Sequence, residues 1–147
     1  DKWVRCLSDR PFEITFLGRG GQGAWTASVL IAQAAVHAGK FAQSFPEFGP
    51  ERAGAPVRAY ARIWDKPIEV HAGITKADVV AIVDETLAGR AKDLVRSGGI
   101  VVVCSALDPK SVRKKLGLPD DIKVFTVDGL KIAMETPVSN TVGLYGL

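Results

Sequence analysis

The sequence predicts an α/β domain with a Rossmann-like, doubly wound sheet that is mostly parallel and carries one inserted antiparallel hairpin. Short apolar runs that favour strands alternate along the chain with segments of helical spacing. Two of these runs, residues 78–84 and 98–104, are continuously apolar, as strands covered on both faces of a sheet are. A glycine-rich stretch, "GRGGQG" at 18–23, joins the first predicted strand to the first predicted helix, where such folds often bind phosphate groups.

Length and composition indicate a single domain over residues 1–147, with 47% hydrophobic and 24% charged residues. No apolar stretch approaches the roughly eighteen residues of a membrane span. The N-terminus also lacks the apolar core of a signal peptide, so we expect a cytoplasmic protein that binds no membrane. A net charge of +3 is too small to indicate nucleic-acid binding. Because the chain stops at "NTVGLYGL", where a helix is expected to begin, we expect it to be truncated at the C-terminus.

The first half of the chain is expected to form a strand, a helix and a second strand. Residues 12–17 are β-prone, and residues 22–38 form an alanine-rich helix that Gly39 terminates. A second strand follows at 41–45. The next stretch, 46–56, contains three prolines and two glycines, which predicts a loop without regular structure.

The second half predicts an antiparallel hairpin followed by alternating strands and helices. The stretch "VRAYARIW" alternates small apolar residues with larger polar and aromatic ones, which is typical of a strand with two unlike faces. Asp84 and Glu85 end a buried strand, where open α/β sheets usually bind ligands, but Asp84 is expected rather to cap the helix that follows it. Cys104 is expected to be a small buried residue. The predicted elements are a hairpin of 57–64 with 68–72, strands at 78–84, 98–104 and 123–128, and helices at 85–97, 108–117 and 129–136.

The glycine turn by itself allows two interpretations. Its free helix amides and the cation of Arg19 favour an anionic ligand, whereas the glycines could equally serve close packing of strand and helix. A turn that binds NAD also requires a carboxylate at the end of the second strand. That strand ends in "SFP" before Glu47, and a proline-rich loop follows, which disfavours a stand-alone NAD(P)-binding dehydrogenase domain but leaves it as an alternative.

Three stretches together resemble one family: "GRGGQGAWTAS", "FPEFGPERAGAPVRAYARI" and "NTVGLYGL". They are similar to the gamma subunit, or the equivalent domain, of the 2-oxoacid:ferredoxin oxidoreductases, of which pyruvate:ferredoxin oxidoreductase is the best known. The resemblance extends from about residue 12 to the end of the chain. The glycine turn is moderately specific, and its combination with "FGPERAGAPV" at this separation is highly specific.

The resemblance implies one subunit of an enzyme that converts pyruvate, coenzyme A and oxidised ferredoxin to acetyl-CoA, CO₂ and reduced ferredoxin. Thiamine diphosphate, Mg²⁺ and [4Fe–4S] clusters would lie in the partner alpha, beta and delta subunits, and coenzyme A would be a co-substrate. The residues agree, because Cys6 and Cys104 do not have cluster spacing and "VDG" at 127–129 lacks a glycine of the diphosphate motif. We therefore expect this chain to bind no cofactor or metal alone and to be inactive in isolation.

The candidate site residues are expected to face coenzyme A or the neighbouring active site, and none is expected to be catalytic or to bind a metal. They are Gly18, Arg19, Gly20, Gly21, Gln22, Gly23, Glu47, Glu51, Arg52, Asn140 and Thr141. Structural alternatives remain for most of them. Arg19 and Gln22 could brace the turn against the loop at 46–56, Arg52 could pair with a nearby glutamate, and Asn140 could cap a final helix. A purely structural subunit is thus a third interpretation of the chain.

Overall fold

The computed structural model describes residues 9–47 and 54–136, which form a three-layer α/β domain. Six strands make one sheet, and helical segments cover parts of both faces. The strands are β1 Phe12–Arg19, β2 Phe41–Glu47, β3 Pro56–Trp64, β4 Ala77–Ile82, β5 Val95–Cys104 and β6 Lys123–Val127. The helices are α1 Ala24–His37, α2 Ala91–Leu94, α3 Pro109–Leu116 and α4 Gly129–Glu135, with a 3₁₀ helix at Glu85–Arg90.

The sheet is mixed and mostly parallel, with the strand order β2-β3-β1-β4-β5-β6. Strands β1, β4, β5 and β6 run parallel to one another, whereas β3 is antiparallel to both β1 and β2. The predicted fold class, a doubly wound α/β sheet with an antiparallel hairpin, is confirmed.

The predicted partner of the hairpin is wrong. Residues 68–72 form no strand, and β2 pairs with β3 instead, with Glu47 opposite Arg58. The reason is geometric, because β3 already has β1 on one edge and β2 on the other, which leaves no free edge for a third strand. The segment after β3 instead provides carbonyl groups, and the Ala72 carbonyl accepts a hydrogen bond of 2.6 Å from Arg62.

The predicted loop at 46–56 also begins later than expected, because β2 continues through Pro46 to Glu47 and Pro56 belongs to β3. Proline is compatible with β2 because this strand lies at the edge of the sheet, where a missing N–H need not remove a ladder hydrogen bond. Residues 48–53 lie outside the described residues.

Each face of the sheet has its own apolar core. On one face, α1 packs over β1, β2 and β3, around Ile14, Phe16 and Ala59. On the other face, the 3₁₀ helix, α2 and α3 pack over β4, β5 and β6, around Val80, Val101 and other side chains. Apolar and aromatic residues thus alternate between two buried layers along each central strand.

The helix predicted at 85–97 is shorter and less regular than expected. It divides into the 3₁₀ helix and the four-residue α2, because Val95 already pairs with Ala77 as the first residue of β5. The predicted cap is confirmed, since the Asp84 carboxylate accepts a hydrogen bond of 2.9 Å from the Thr86 amide. Helix α3 also agrees with its prediction and has Pro109 in its first turn.

Two features of the remaining chain concern burial. Cys104 is partly exposed rather than buried as predicted, because no described helix covers its side of β5. Helix α4 follows β6 as expected, yet it contains no buried residue. Within the described ranges, no helix combines the length and the hydropathy that crossing a bilayer would need.

Candidate functional site

The glycine turn lies at the carboxyl end of β1, beside the carboxyl end of β4, to which β1 is parallel. Gly21 and Gly23 have φ angles of 86° and 83°, in the left-handed region that glycine adopts readily. A Cβ atom built at Gly18 would lie 3.3 Å from the Cβ atoms of Ala24 and Val83. The left-handed backbone therefore favours glycine at Gly21 and Gly23, and the close approach of α1 to the sheet favours it at Gly18.

Arg19 braces this turn against two other segments of the chain. Its Nη1 donates to the Gly54 carbonyl at 2.9 Å, and its Nη2 donates to Thr86 Oγ1 at 2.9 Å. Its Nε lies 3.3 Å from Asp84 Oδ2. The Gly20 amide adds a hydrogen bond of 3.2 Å to the Ala55 carbonyl. Arg19 thus braces the turn, as one of the two interpretations expected, and residues 54 and 55 are fixed to the turn.

Gln22 completes the cluster around Asp84. Its side-chain oxygen accepts a hydrogen bond of 2.7 Å from the Arg19 amide, and its Nε2 donates to Asp84 Oδ2 at 2.8 Å. The hydrogen bond from the Thr86 hydroxyl lowers the pKa of Asp84, with further lowering by Gln22, the Thr86 amide and the charge of Arg19. Asp84 therefore remains ionised at neutral pH and offsets much of the positive charge of Arg19.

Sequence reasoning favoured a cap over a ligand-binding role for Asp84 and did not identify Thr86. The position of Asp84 near Arg19 could be predicted from the sequence, because Asp84 directly follows a buried strand. Carboxyl ends of parallel strands meet at one edge of the sheet, so a polar residue after β4 is expected near the end of β1.

Glu47 belongs to a different cluster from the glycine turn. It accepts a hydrogen bond from the Tyr60 hydroxyl, and burial, followed by this hydrogen bond, raises the pKa of Tyr60. Phe45 packs against the Tyr60 ring with centroids 5.2 Å apart. Glu47 and Tyr60, with the neighbouring Arg58 and Asp93, line a cavity of about 540 Å³. Tyr60 and Arg58 were not predicted as site residues, although their alternation in β3 placed them on one face.

The geometry of Glu47 argues against the dinucleotide interpretation. A carboxylate at the end of β2 that held a ribose would need to be free to accept hydrogen bonds from its hydroxyls. Glu47 instead lies at the end of an edge strand that β3 separates from β1, and one of its carboxylate oxygens accepts a hydrogen bond from Tyr60. In the part of the chain that the structure describes, no group of three or more His, Cys, Asp or Glu side chains is arranged to hold a metal ion.

Four of the predicted site residues, Glu51, Arg52, Asn140 and Thr141, lie outside the described residues. Their proposed contacts with a ligand or a partner, and the alternative pairing of Arg52, stay predictions. The structure thus brings together Arg19 and Gln22 from the predicted set, adds Asp84 and Thr86 to them, and places Glu47 in a separate cluster.

Comparison with known proteins gives a consistent result. Residues 13–146 match the family described as pyruvate ferredoxin/flavodoxin oxidoreductase. The chain is 45% identical over 130 residues to pyruvate synthase subunit PorC of Thermotoga maritima, covering 88% of this chain and 67% of that protein. It is 43% identical over 134 residues to the common subunit gamma of the pyruvate/ketoisovalerate oxidoreductases of Thermococcus kodakarensis, covering 88% of this chain and 72% of that protein.

A solved structure extends the likeness to three dimensions. The crystal structure of pyruvate oxidoreductase subunit PORC from Thermotoga maritima superposes with a TM-score of 0.72 at 41% identity, over 85% of this chain and 66% of that chain. The present chain therefore spans about two thirds of the length of these relatives. On the match over residues 13–146 and these identities, the chain belongs to the pyruvate ferredoxin/flavodoxin oxidoreductase family and corresponds to its gamma subunit.

Proposed function

We propose that this chain is the component without cofactors of an enzyme that converts pyruvate, coenzyme A and oxidised ferredoxin to acetyl-CoA, CO₂ and reduced ferredoxin. Thiamine diphosphate supplies the decarboxylation chemistry and [4Fe–4S] clusters carry single electrons, both from partner alpha, beta and delta subunits. The gamma chain forms part of the wall of the catalytic cavity and helps to admit coenzyme A. The Thermotoga maritima relative is named for pyruvate and the Thermococcus kodakarensis relative for pyruvate and ketoisovalerate, and this shared name supports pyruvate as the substrate.

The observation that carries the proposal is the braced glycine turn. Arg19 donates a hydrogen bond to the Gly54 carbonyl and the Gly20 amide donates one to the Ala55 carbonyl, so residues 54 and 55 of the loop predicted at 46–56 are held at a rigid base at the carboxyl edge of the sheet. Recognition residues are commonly found on loops that a rigid scaffold positions in this way. Glu51 and Arg52 belong to this loop, which supports a role for them at a ligand or a neighbouring subunit.

We assign different roles to Arg19 and Arg52 because Asp84 already offsets the charge of Arg19. Asp84 lies 3.3 Å from Arg19 and offsets its charge, so Arg19 acts mainly as a brace. Arg52 is then the better candidate for a phosphate group of coenzyme A, because a guanidinium can form two parallel hydrogen bonds to phosphate oxygens. The amide groups of the glycine turn would add a weaker attraction for negative charge at the start of α1.

The proposal is tested by Arg52→Ala in the assembled enzyme. Loss of the charge-assisted contact with phosphate, at least about 1.5 kcal/mol, should raise the KM for coenzyme A by about tenfold or more. The KM for pyruvate should not change, because pyruvate reacts at the thiamine ring in the partner subunits. Steady-state kinetics with each substrate varied in turn, under anaerobic conditions, measures both constants.

The matched control is Lys76→Ala, which removes one positive charge next to the amino-terminal end of β4, at the opposite edge of the sheet. Equal kinetics of wild type and Arg52→Ala would contradict the proposal and favour a purely structural subunit. Tight binding of NADH by the chain alone, followed by the fluorescence of its three tryptophans, would contradict it in favour of a dehydrogenase domain.

A further inference from the structure

Strand β2 forms one edge of the sheet, and no described strand pairs with its outer side. A free edge is a template for another strand, and proteins usually protect it with charged side chains, proline or a very short strand. Strand β2 has seven residues, and none from Phe41 to Pro46 is charged. The other edge strand, β6, has only five residues and begins with Lys123. Strand β2 is therefore the less protected of the two edges.

Pro46 indicates which backbone groups of β2 face outward. A proline within a sheet points its nitrogen away from the neighbouring strand, because it cannot donate a ladder hydrogen bond. Pro46 therefore faces the outer side, and so do Ser44 and Ala42, since this direction alternates along a strand. Among the described residues, the amides and carbonyls of Ala42 and Ser44 make no hydrogen bond outside the strand ladders. The edge thus presents backbone donors and acceptors for a further strand.

The two faces of the sheet differ along this edge. Ser44 faces α1, because its Oγ lies 2.9 Å from the Oγ of Ser28. A groove of about 470 Å³ runs there between α1 and β2, and it includes Val36, which is 57% exposed. On the opposite face, Phe45 packs against Tyr60, whereas Phe41 is 47% exposed. Exposed apolar surface on both faces of a free edge indicates contact with another chain.

We propose that a second copy of this chain covers the edge, with the two β2 strands antiparallel about a two-fold axis and the two sheets joined into one. Such an interface is isologous, so the same edge must be complementary to itself. An axis perpendicular to the sheet keeps α1 of both copies on one side. Residues that lie directly opposite each other must then belong to the same face, which restricts the possible registers.

The outward amides select one of these registers. With the axis at Gln43, Ala42 lies opposite Ser44 of the second copy, and each such pair exchanges both of its amide–carbonyl hydrogen bonds. An axis at Ser44 would place Ala42 opposite Pro46, which has no N–H to donate. An axis at Ala42 would place Ser44 opposite Lys40, whose amide already donates to a carbonyl of α1 at 3.0 Å. The axis at Gln43 therefore uses every outward donor.

The same register also matches the side chains. It places Phe41 opposite Phe45 of the second copy, and cross-strand aromatic pairs stabilise sheets. It brings the Lys40 end of each strand to the Glu47 end of the other, so that no like charges meet. On the α1 face, the two grooves merge across the axis. A second copy thus supplies the backbone groups, the aromatic partner and the charge that the edge requires, which favours it over a strand of unrelated sequence.

The size of the contact predicts a reversible dimer. Seven residues make an edge about 24 Å long, and the sheet with α1 above it is about 20 Å high, which gives a contact of about 480 Å². Stable interfaces typically bury about 800 Å² on each partner. The dimer should therefore dissociate on dilution.

Disulfide trapping tests the register. Gln43 lies opposite itself in a non-hydrogen-bonded pair, where the two Cα atoms are about 4.5 Å apart and within reach of a disulfide. Gln43→Cys is introduced into the enzyme purified with its companion subunits, oxidised mildly and analysed by peptide mass spectrometry. We expect a disulfide that joins position 43 of two copies. Lys123→Cys is the matched control on the exposed first residue of β6, at the other edge of the sheet, and should form none.

A second measurement leaves Gln43 in place, because its side chain accepts a hydrogen bond from Arg62. Phe41→Glu places a charge on each side of the axis and should raise the dissociation constant of the dimer by at least about tenfold. Phe125→Glu is the matched control, since Phe125 is 50% exposed on β6, and it should leave the constant unchanged. Sedimentation velocity of the full chain over the micromolar to submillimolar range gives the constants, and circular dichroism establishes that both variants are folded.

The proposal requires both results, which are the disulfide at position 43 and the weaker dimer of Phe41→Glu. A chain that stays monomeric throughout the concentration range overturns it, as do equal effects of Phe41→Glu and Phe125→Glu. Absence of a disulfide between two copies, or one that forms as readily in Lys123→Cys, also overturns it. A disulfide from position 43 to a companion subunit overturns it in favour of a strand from that subunit.

Discussion

At the residue scale, the ion pair between Arg19 and Asp84 holds the glycine turn in place. The guanidinium joins three segments that are distant in sequence, which are the glycine turn, the start of β3 and the cap of the 3₁₀ helix. The local motif "GRGGQG" identified Arg19 and Gln22 as important, because a glycine turn between strand and helix is recognisable from a few residues. The motif could not reveal the partners Asp84 and Thr86, since they lie more than sixty residues further along the chain.

Asp84→Asn should destabilise the folded chain at neutral pH. The substitution removes the charge that accepts hydrogen bonds from Thr86 and Gln22 and pairs with Arg19, which corresponds to about 1–2 kcal/mol. Because the folded-state pKa of Asp84 is lowered, its contribution is present above the ordinary pKa of about 3.9 and is lost as the pH falls through the folded value. The difference from wild type should therefore shrink between pH 7 and pH 3, as measured by urea unfolding at both pH values.

The control for this prediction is Asp108→Asn, because Asp108 also caps a helix, α3, by accepting a hydrogen bond from the Ser111 amide. Arg19 contacts Asp84 at the glycine turn instead, so the control tests the loss of a cap alone. A loss of stability in Asp84→Asn no larger than in the control would show that the contacts with Arg19 and Gln22 contribute little. A difference from wild type that persists undiminished at pH 3 would contradict the assignment of the effect to the ionised carboxylate.

At the scale of secondary-structure elements, local pattern predicted the strands better than their partners. The apolar runs of β4 and β5 identify those strands, because strands that are covered on both faces of a sheet are apolar throughout. The partner of β3 depends on which edge is free, and that is a property of the whole sheet. Helix α2 is short for a similar reason, since Val95 pairs with Ala77 in spite of its helical spacing.

The packing of α1 on β1 gives a second prediction from a matched pair of glycines. Gly18→Ala places a methyl group 3.3 Å from the Cβ atoms of Ala24 and Val83, so strand and helix must separate slightly. Overpacking of this kind costs about 1–3 kcal/mol. Gly20→Ala places its methyl group no closer than 3.9 Å to its nearest neighbour, the Gly54 amide nitrogen, and should be tolerated. Thermal or urea unfolding of the two variants measures the difference.

Equal stabilities of the two glycine variants would contradict this account of the turn. If Gly20→Ala is as stable as wild type yet weakens coenzyme A binding in the assembled enzyme, the turn approaches a ligand as well as the sheet. If it leaves that binding unchanged, the glycines of the turn serve chain geometry and packing alone. The pair of variants thus separates the two interpretations that the sequence left open.

At the scale of the whole molecule, the carboxyl and amino ends of the parallel strands carry different polar clusters. The carboxyl edge holds the glycine turn and the Asp84 cluster. The amino edge holds a network in which Arg62 pairs with Glu13 at 2.9 Å, Glu13 contacts Arg96, and Asp78 pairs with Arg10 at 2.6 Å. Burial alone would raise the pKa of Asp78, but hydrogen bonds from Arg10 and the Glu13 amide, with nearby positive charges, lower it.

This network was not predicted, for a physical reason. The alternation of β3 indicated two unlike faces, and a face that carries two arginines is usually exposed to water. Both faces are buried instead, with Ala61 at 0% and Arg62 at 2% exposure. Arg62 is accommodated because Glu13, Gln43 and the Ala72 carbonyl accept its hydrogen bonds, and those acceptors come from three separate parts of the chain.

Glu13→Ala should therefore be one of the most destabilising single changes in the chain. It leaves the buried guanidinium of Arg62 without its carboxylate, and breaking a buried ion pair in this way costs about 3–5 kcal/mol. The double variant Glu13→Leu with Arg62→Leu removes both charges and should recover much of the loss, because no unpaired charge then remains buried. Urea unfolding of the single and double variants gives the comparison. A single variant that is no less stable than the double would mean that water or the remaining acceptors, Gln43 and Ala72, already compensate the charge of Arg62.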